Sequence, residues 1–214
     1  MIAHRTRIKI CGIRDPLMAI AAAKAGADAI GLVFHEASPR AVEPVRARDI
    51  ARAVPAFVCV AGLFVNRDAA YVRTVLEHVP LGLLQFHGDE PPEFCDQFGL
   101  PWIRAFRVGP GTDLIECGDR FSRAAAMLLD AQVPGQFGGT GTAFDWSLVP
   151  PTLARPVVLS GGLDAGNVGG AIRVVRPWAV DVSSGVEVAR GVKDAALIEE
   201  FVRSVKDADE RAGG

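Results

Sequence analysis

Eight short, near-continuously apolar runs recur along this chain, at residues 8–11, 29–34, 57–65, 81–86, 102–108, 126–129, 157–159 and 179–182. A strand with one wet face alternates apolar and polar residues, whereas an unbroken apolar run suits a parallel strand covered on both faces. Helix-period stretches separate many of the runs, at 15–25, 45–53, 67–78, 91–98 and 167–176, and another at 195–209 follows the eighth run. Parallel strands need such crossovers between them. The first stretch carries a start signal in Asp15-Pro16 and a stop signal in Gly26. These are a capping side chain, a proline at the first helical position and a residue tolerant of a left-handed turn.

Run starts fall roughly every 20 to 31 residues, a spacing that fits eight consecutive βα units. Half of the 214 residues are apolar, enough for a full-sized core, and no low-complexity or linker-like segment divides the chain. The pattern predicts an α/β fold: a single (β/α)8 TIM barrel over residues 1–214, with eight parallel strands and an active site at their C-terminal face. An open doubly wound sheet is the alternative. It sits poorly with the first strand, which is followed by Cys11-Gly12-Ile13-Arg14-Asp15 and not by G-x-G-x-x-G.

Composition narrows the function class. With 23 basic and 25 acidic residues, a formal charge of −2 and no long run of either sign, neither a nucleic acid nor a membrane surface is suggested as partner. Four cysteines, Cys11, Cys59, Cys95 and Cys117, have no C-x-x-C spacing. That argues against a structural zinc site and a secreted disulfide framework, and for reduced thiols in the cytoplasm. No apolar run of signal-peptide length precedes Lys9, and none reaches the roughly 18 residues of a membrane span. A small molecule is the expected ligand.

Two glycine-bearing turns then stand out, Leu159-Ser160-Gly161-Gly162-Leu163 and Asp181-Val182-Ser183-Ser184-Gly185, each at the end of a late strand. A phosphate needs several converging backbone N–H groups, and glycine lets the main chain come close. In a barrel, phosphate sites recur after strands seven and eight, where these two turns fall.

Two residues at strand ends could move protons. Cys11 ends the first strand before Gly12 and reads either as a small buried hydrophobe or as a base whose thiolate a nearby positive charge favours. Asp130 interrupts Ala126-Met127-Leu128-Leu129 at the end of the sixth strand. It reads either as an acceptor of loop amides or as an acid, because burial favours a carboxyl in its protonated, donating form. Gly138-Gly139-Thr140-Gly141 reads as a closing lid or a plain surface loop, and Asp145 as a cap on a short helix begun by Trp146. Arg40 suits a substrate carboxylate if it is not simply solvated; His87 is a ligand-binding or a structural histidine. Histidines and carboxylates do not cluster at metal-site spacing, so no metal is expected.

Together with these features, the motifs Lys9-Ile10-Cys11-Gly12, Ser38-Pro39-Arg40, Gly62-Leu63-Phe64-Val65-Asn66, Gln85-Phe86-His87-Gly88, Leu128-Leu129-Asp130, Phe144-Asp145-Trp146 and Asp181-Val182-Ser183-Ser184-Gly185-Val186-Glu187 appear in an order that resembles phosphoribosylanthranilate isomerase of tryptophan biosynthesis. The resemblance covers nearly the whole chain. It implies a cofactor-free Amadori rearrangement of N-(5-phosphoribosyl)anthranilate, with Cys11 as general base and Asp130 as general acid. It further implies that Arg40 binds the anthranilate carboxylate and that Gly161, Gly162, Ser183 and Ser184 hold the phosphate, with His87, Gly141 and Asp181 completing the substrate site. A monomer or homodimer is expected. Arg14, Phe86 and Arg190 depart from the family's usual threonine, leucine and proline. The runner-up is the related aminoaldose isomerase of histidine biosynthesis, which uses an aspartate as its first-strand base. From another class, a non-catalytic phosphometabolite sensor would need neither Cys11 nor Asp130.

Overall fold

The computed structural model describes residues 5–131 and 144–213. Its first half runs β1 (Arg7–Cys11), α1 (Pro16–Ala25), β2 (Ala29–Val33), α2 (Pro44–Ala53), β3 (Cys59–Phe64), α3 (Ala69–His78), β4 (Leu83–Phe86) and α4 (Pro92–Cys95). The second half runs β5 (Trp102–Val108), α5 (Leu114–Arg120), β6 (Ala126–Ala131), β7 (Val157–Leu159), α6 (Val168–Val175), β8 (Ala179–Val182), the short strands β9 (Glu187–Ala189) and β10 (Val192–Lys193), and α7 (Ala195–Gly213). Strands β1 to β8 pair in order, all parallel, and β8 pairs back onto β1, so the sheet closes into a barrel.

Local chemistry sets the helix ends. Asp15 accepts from Met18 N at 3.0 Å, Pro16 opens α1, and Gly26 closes it at φ +112°. Asp68 caps α3, and Asp113 caps α5 with bonds to Ile115 N and Glu116 N.

Because successive strand residues face opposite sides, the apolar runs feed two cores. Outward-facing Ile10, Ile30, Phe34, Phe64, Leu84 and Phe86 meet the helices, where Ile50, Val75 and Phe201 wait. Inside the barrel, Ile103, Ala105, Ala126, Leu128, Val158 and Ala179 fill the lower half, and Cys11, Val33, Leu63 and Val65 cluster towards the mouth. Stepping two residues up from Leu83 and Ala179 reaches Gln85 and Asp181, which form a polar layer with Lys9 under the mouth.

The structure departs from the sequence reading in four places. Strand β3 starts at Cys59 because Val58 N bonds Pro55 O in a turn and Phe57, fully exposed, sits at φ +73°. Strand β4 starts at Leu83, after Gly82. Helix α5 follows β5, where the periodicity marked none, while after β6 the described residues hold only the expected short helix from Trp146, a 3-10 turn, Trp146–Leu148. Pro150, Pro151 and Pro156 in that connection remove donors that a helix would need. The fourth departure is the β9–β10 hairpin, an antiparallel addition over the mouth.

Candidate active site

A cavity of about 450 Å³ opens at the C-terminal face of the strands, bordered by Cys11, Arg40, His87, Asp130, Ser160 and Asp181 among others. The barrel thus brings together the ends of β1, β2, β4, β6, β7 and β8, the place the sequence reading assigned to the site.

Cys11 and Asp130 reach this cavity from β1 and β6, with 5% and 4% of their surfaces exposed. Burial pushes the Cys11 thiol up; Lys9 and Lys193 pull it back down, while Asp181 pushes it up. Asp130 Oδ1 accepts from Ala131 N at 2.9 Å, and its Oδ2 lies 3.2 Å from His87 Nε2. His87 is held in turn: its Nδ1 is 3.1 Å from Gln85 Nε2, and its backbone N bonds Phe64 O. Below it Arg104 donates to Phe86 O, Gly88 O and Glu90, clamping the β4 loop.

The two glycine turns are built as expected for close backbone approach. Gly161 and Gly162 are both left-handed, at φ +84° and +64°, and Asn167 Nδ2 donates to Gly162 O at 2.8 Å. A side chain on Gly185 would overlap the Leu163 carbonyl, so the two turns abut. Ser160 and Ser183 border the cavity, while Gly161, Gly162 and Ser184 shape the turns beside them. The Ser183 hydroxyl donates to Cys11 O at 3.1 Å, which ties the end of β8 to the end of β1.

Three expectations need restating. The Arg40 fork is not open to solvent: its Nε and Nη2 donate to Glu187 at 2.7 and 2.9 Å. Asp181 Oδ1 is taken by Lys9 Nζ at 2.8 Å. Gly141, with the rest of the glycine-rich segment 138–141, lies outside the described residues. Asn66, another strand-end residue, bridges to Asp89 and Glu90 in the β4 loop. As the sequence suggested, Asp145 caps the turn begun at Trp146, accepting from Ser147 N.

The sequence reading gave no role to Lys9, Glu187 or Lys193, yet all are near the site and buried or half-buried. One signal was available. Lys9 and Asp181 are the charged residues inside two apolar strands that a closed barrel makes neighbours, and a buried charge requires a partner. Among the described residues, no three His, Cys, Asp or Glu side chains gather in a group able to hold a metal ion, and no helix is long and apolar enough to cross a membrane.

Comparison with known proteins agrees with this geometry. The sequence profile described as N-(5'phosphoribosyl)anthranilate (PRA) isomerase matches residues 8–204. The N-(5'-phosphoribosyl)anthranilate isomerase of Ralstonia nicotianae is 55% identical over 226 residues, covering 100% of this chain and 98% of its own. That of Pseudomonas putida (strain F1) is 57% identical over 202 residues, covering 94% and 98%. Among solved structures, the phosphoribosyl anthranilate isomerase of Thermotoga maritima superposes with a TM-score of 0.86 at 40% identity, over 94% of this chain and 99% of its own. Another, complexed with reduced 1-(o-carboxyphenylamino)-1-deoxyribulose 5-phosphate, gives a TM-score of 0.83 at 39% identity over the same shares. The apolar runs, the closed barrel, the cavity at its mouth and these matches converge: the chain belongs to the N-(5'-phosphoribosyl)anthranilate isomerase family.

Proposed function

We propose that Cys11 and Asp130 perform the family's aldose–ketose isomerisation in this chain, as general base and general acid. The reaction is the Amadori rearrangement of N-(5-phosphoribosyl)anthranilate to 1-(2-carboxyphenylamino)-1-deoxyribulose 5-phosphate, in tryptophan biosynthesis. The observation that carries the assignment is the shared cavity, which Cys11 and Asp130 border from different strands, each almost fully buried.

Asp130 donates a proton to the ribose ring oxygen as the C1′–oxygen bond breaks, and the anilino nitrogen's lone pair forms a protonated Schiff base. The cationic nitrogen acidifies the C2′–H, which the Cys11 thiolate removes as the electron pair moves to nitrogen. The enolamine then tautomerises to the ketone. Base, acid and the substrate's own nitrogen cover every proton and electron pair, so the chemistry calls for no cofactor.

Anchoring both substrate ends places the ribose between base and acid. The turns around Gly161, Gly162, Ser183 and Ser184 take the phosphate. Glu187 fixes the plane of the Arg40 guanidinium through Nε and Nη2, and the remaining Nη1 faces the anthranilate carboxylate. His87 and Asp181, which line the cavity from the ends of β4 and β8, complete the substrate site. The chain works in the cytoplasm as one barrel domain, monomeric or as a homodimer, on this small phosphorylated substrate.

The test is turnover of Cys11→Ser and Asp130→Asn, followed by the fluorescence of phosphoribosylanthranilate. Each rate is expected to fall on the order of 10²–10⁴-fold, with binding of a reduced product analogue retained. Near-native turnover in either variant removes that residue from its role. The aminoaldose substrate of histidine biosynthesis, assayed alongside, separates the runner-up reading.

A further inference from the structure

Lys9, held in a buried ion pair with Asp181, has no part in the proton transfers between Cys11 and Asp130. Lys9 and Asp181 are Cα partners in the β1–β8 register, 4% and 5% exposed, with Nζ 2.8 Å from Oδ1. Desolvating two charges offsets most of their attraction, and well-packed apolar residues often serve a core equally well. Stability is therefore a weak account of the pair.

Its position supplies a better one. By the two-residue period of a strand, Lys9 and Cys11 share the inward face of β1. Gly31 is the Cα partner of Cys11 on β2, and a Cβ there would lie 2.8 Å from Cys11 Sγ and 3.1 Å from Lys9 Nζ. Ammonium and sulfur thus border the same small space, which glycine keeps open.

We propose that Lys9 is a positioning residue for proton abstraction: anchored by Asp181 beside the Cys11 sulfur, its ammonium stabilises the thiolate that Cys11 needs in order to act as base. This rests on the reading of Cys11 as base. A thiol buried to this degree is pushed away from ionising, and the charged groups facing it are Lys9 on β1, Lys193 on β10 and Asp181 on β8. The first two favour the thiolate and the last opposes it. Burial acts against the Lys9 charge, but Asp181 and Cys11 hold the ammonium protonated well above its usual range. Asp181 therefore has two opposed effects, holding Lys9 in place and repelling the thiolate.

That opposition gives the test. Alkylation of Cys11 by iodoacetamide in the free protein, followed against pH at the Cys11 peptide by mass spectrometry, reports the thiolate without requiring turnover. Lys9→Met is expected to move the midpoint to higher pH and slow alkylation at neutral pH by about 10-fold, one pH unit of midpoint. Asp181→Asn removes both the anchor and the repulsion, so its shift is expected to be smaller than that of Lys9→Met. Lys9→Arg, which keeps the charge, should restore most of the native profile. The paired variant Lys9→Met with Asp181→Asn leaves no unpaired buried charge and guards against a misfolded single variant; its midpoint should still lie above the native one. A Lys9→Met midpoint at or below the native one, or a paired variant at or below it, overturns the proposal. Failure of the Cys11 assignment itself would show separately, as turnover surviving in Cys11→Ser.

Discussion

Arg40 and Glu187 meet fork to fork, Nε 2.7 Å from Oε1 and Nη2 2.9 Å from Oε2. The pair joins the loop after β2 to the hairpin after β8, and Lys193 Nζ and Gly191 N also donate to the same carboxylate, at 2.7 and 3.1 Å. Two cations share one carboxylate, so the cluster keeps an excess positive charge beside the cavity. Such an excess suits an anionic substrate.

Glu187 makes the mouth acid-sensitive. Burial would raise its carboxyl, but hydrogen bonds from Arg40 and Lys193 draw it down to about 2. A carboxylate depressed in this way contributes stability that is complete above its unfolded value, about 4.5, and is lost as pH falls towards about 2. Glu187→Gln should therefore lower stability at pH 7 and flatten its decline between pH 4.5 and 2. Urea unfolding at several pH values checks this, and parallel curves for both proteins would count against it.

Arg40 should discriminate by the carboxylate. Arg40→Ala is expected to raise KM for phosphoribosylanthranilate by one or two orders of magnitude while weakening an analogue without the carboxylate far less, given about 1.5–3 kcal/mol for a hydrogen bond to a charged group. Arg40→Lys should recover little, since an ammonium cannot face Glu187 with a planar fork. Equal losses for both ligands would remove the carboxylate from Arg40.

Gly161 packs the turn after β7 against Asp130. It sits at φ +84°, and a Cβ there would lie 2.6 Å from Ala131 N and 2.9 Å from Asp130 Oδ1. Gly161→Ala is expected to cost about 1–2 kcal/mol in unfolding free energy for the left-handed backbone alone. By displacing Asp130 it should also lower kcat at least tenfold, a larger effect than Gly99→Ala, where the space around the glycine is open. Steady-state kinetics and thermal melts of the two variants decide the matter.

Phe64 supports the barrel without touching the chemistry. It is fully buried, stacked on Phe34 at 5.2 Å and tilted against Phe86 at 6.3 Å. Phe64→Ala should lose about 3–5 kcal/mol of stability, with kcat near native at temperatures where the protein stays folded. A large fall in kcat in the folded variant would contradict this separation.

Several features of the site were legible before any fold was known. The apolar runs marked the strands, their ends marked the mouth, and Cys11, Asp130 and the two turns followed from those ends. The helix caps were equally readable, because Asp15 and Gly26 act on their own helix. The brevity of the helix begun at Trp146 was readable too, in Pro150, Pro151 and Pro156. The β9–β10 hairpin was not, because strands of three and two residues carry too little periodicity to register.

What the sequence determined by itself is therefore what depends on near neighbours: strand and helix periodicity, caps, and which residue types stand at strand ends. Tertiary structure alone decided the partners. Lys9 and Asp181 are 172 residues apart, and Arg40 and Glu187 are 147 apart. A charged residue in an apolar strand shows that a partner is needed, but its identity is set by barrel closure and strand register. Those depend on all eight strands packing at once, and they turn the expected open arginine into a paired one and place an ammonium beside the cysteine.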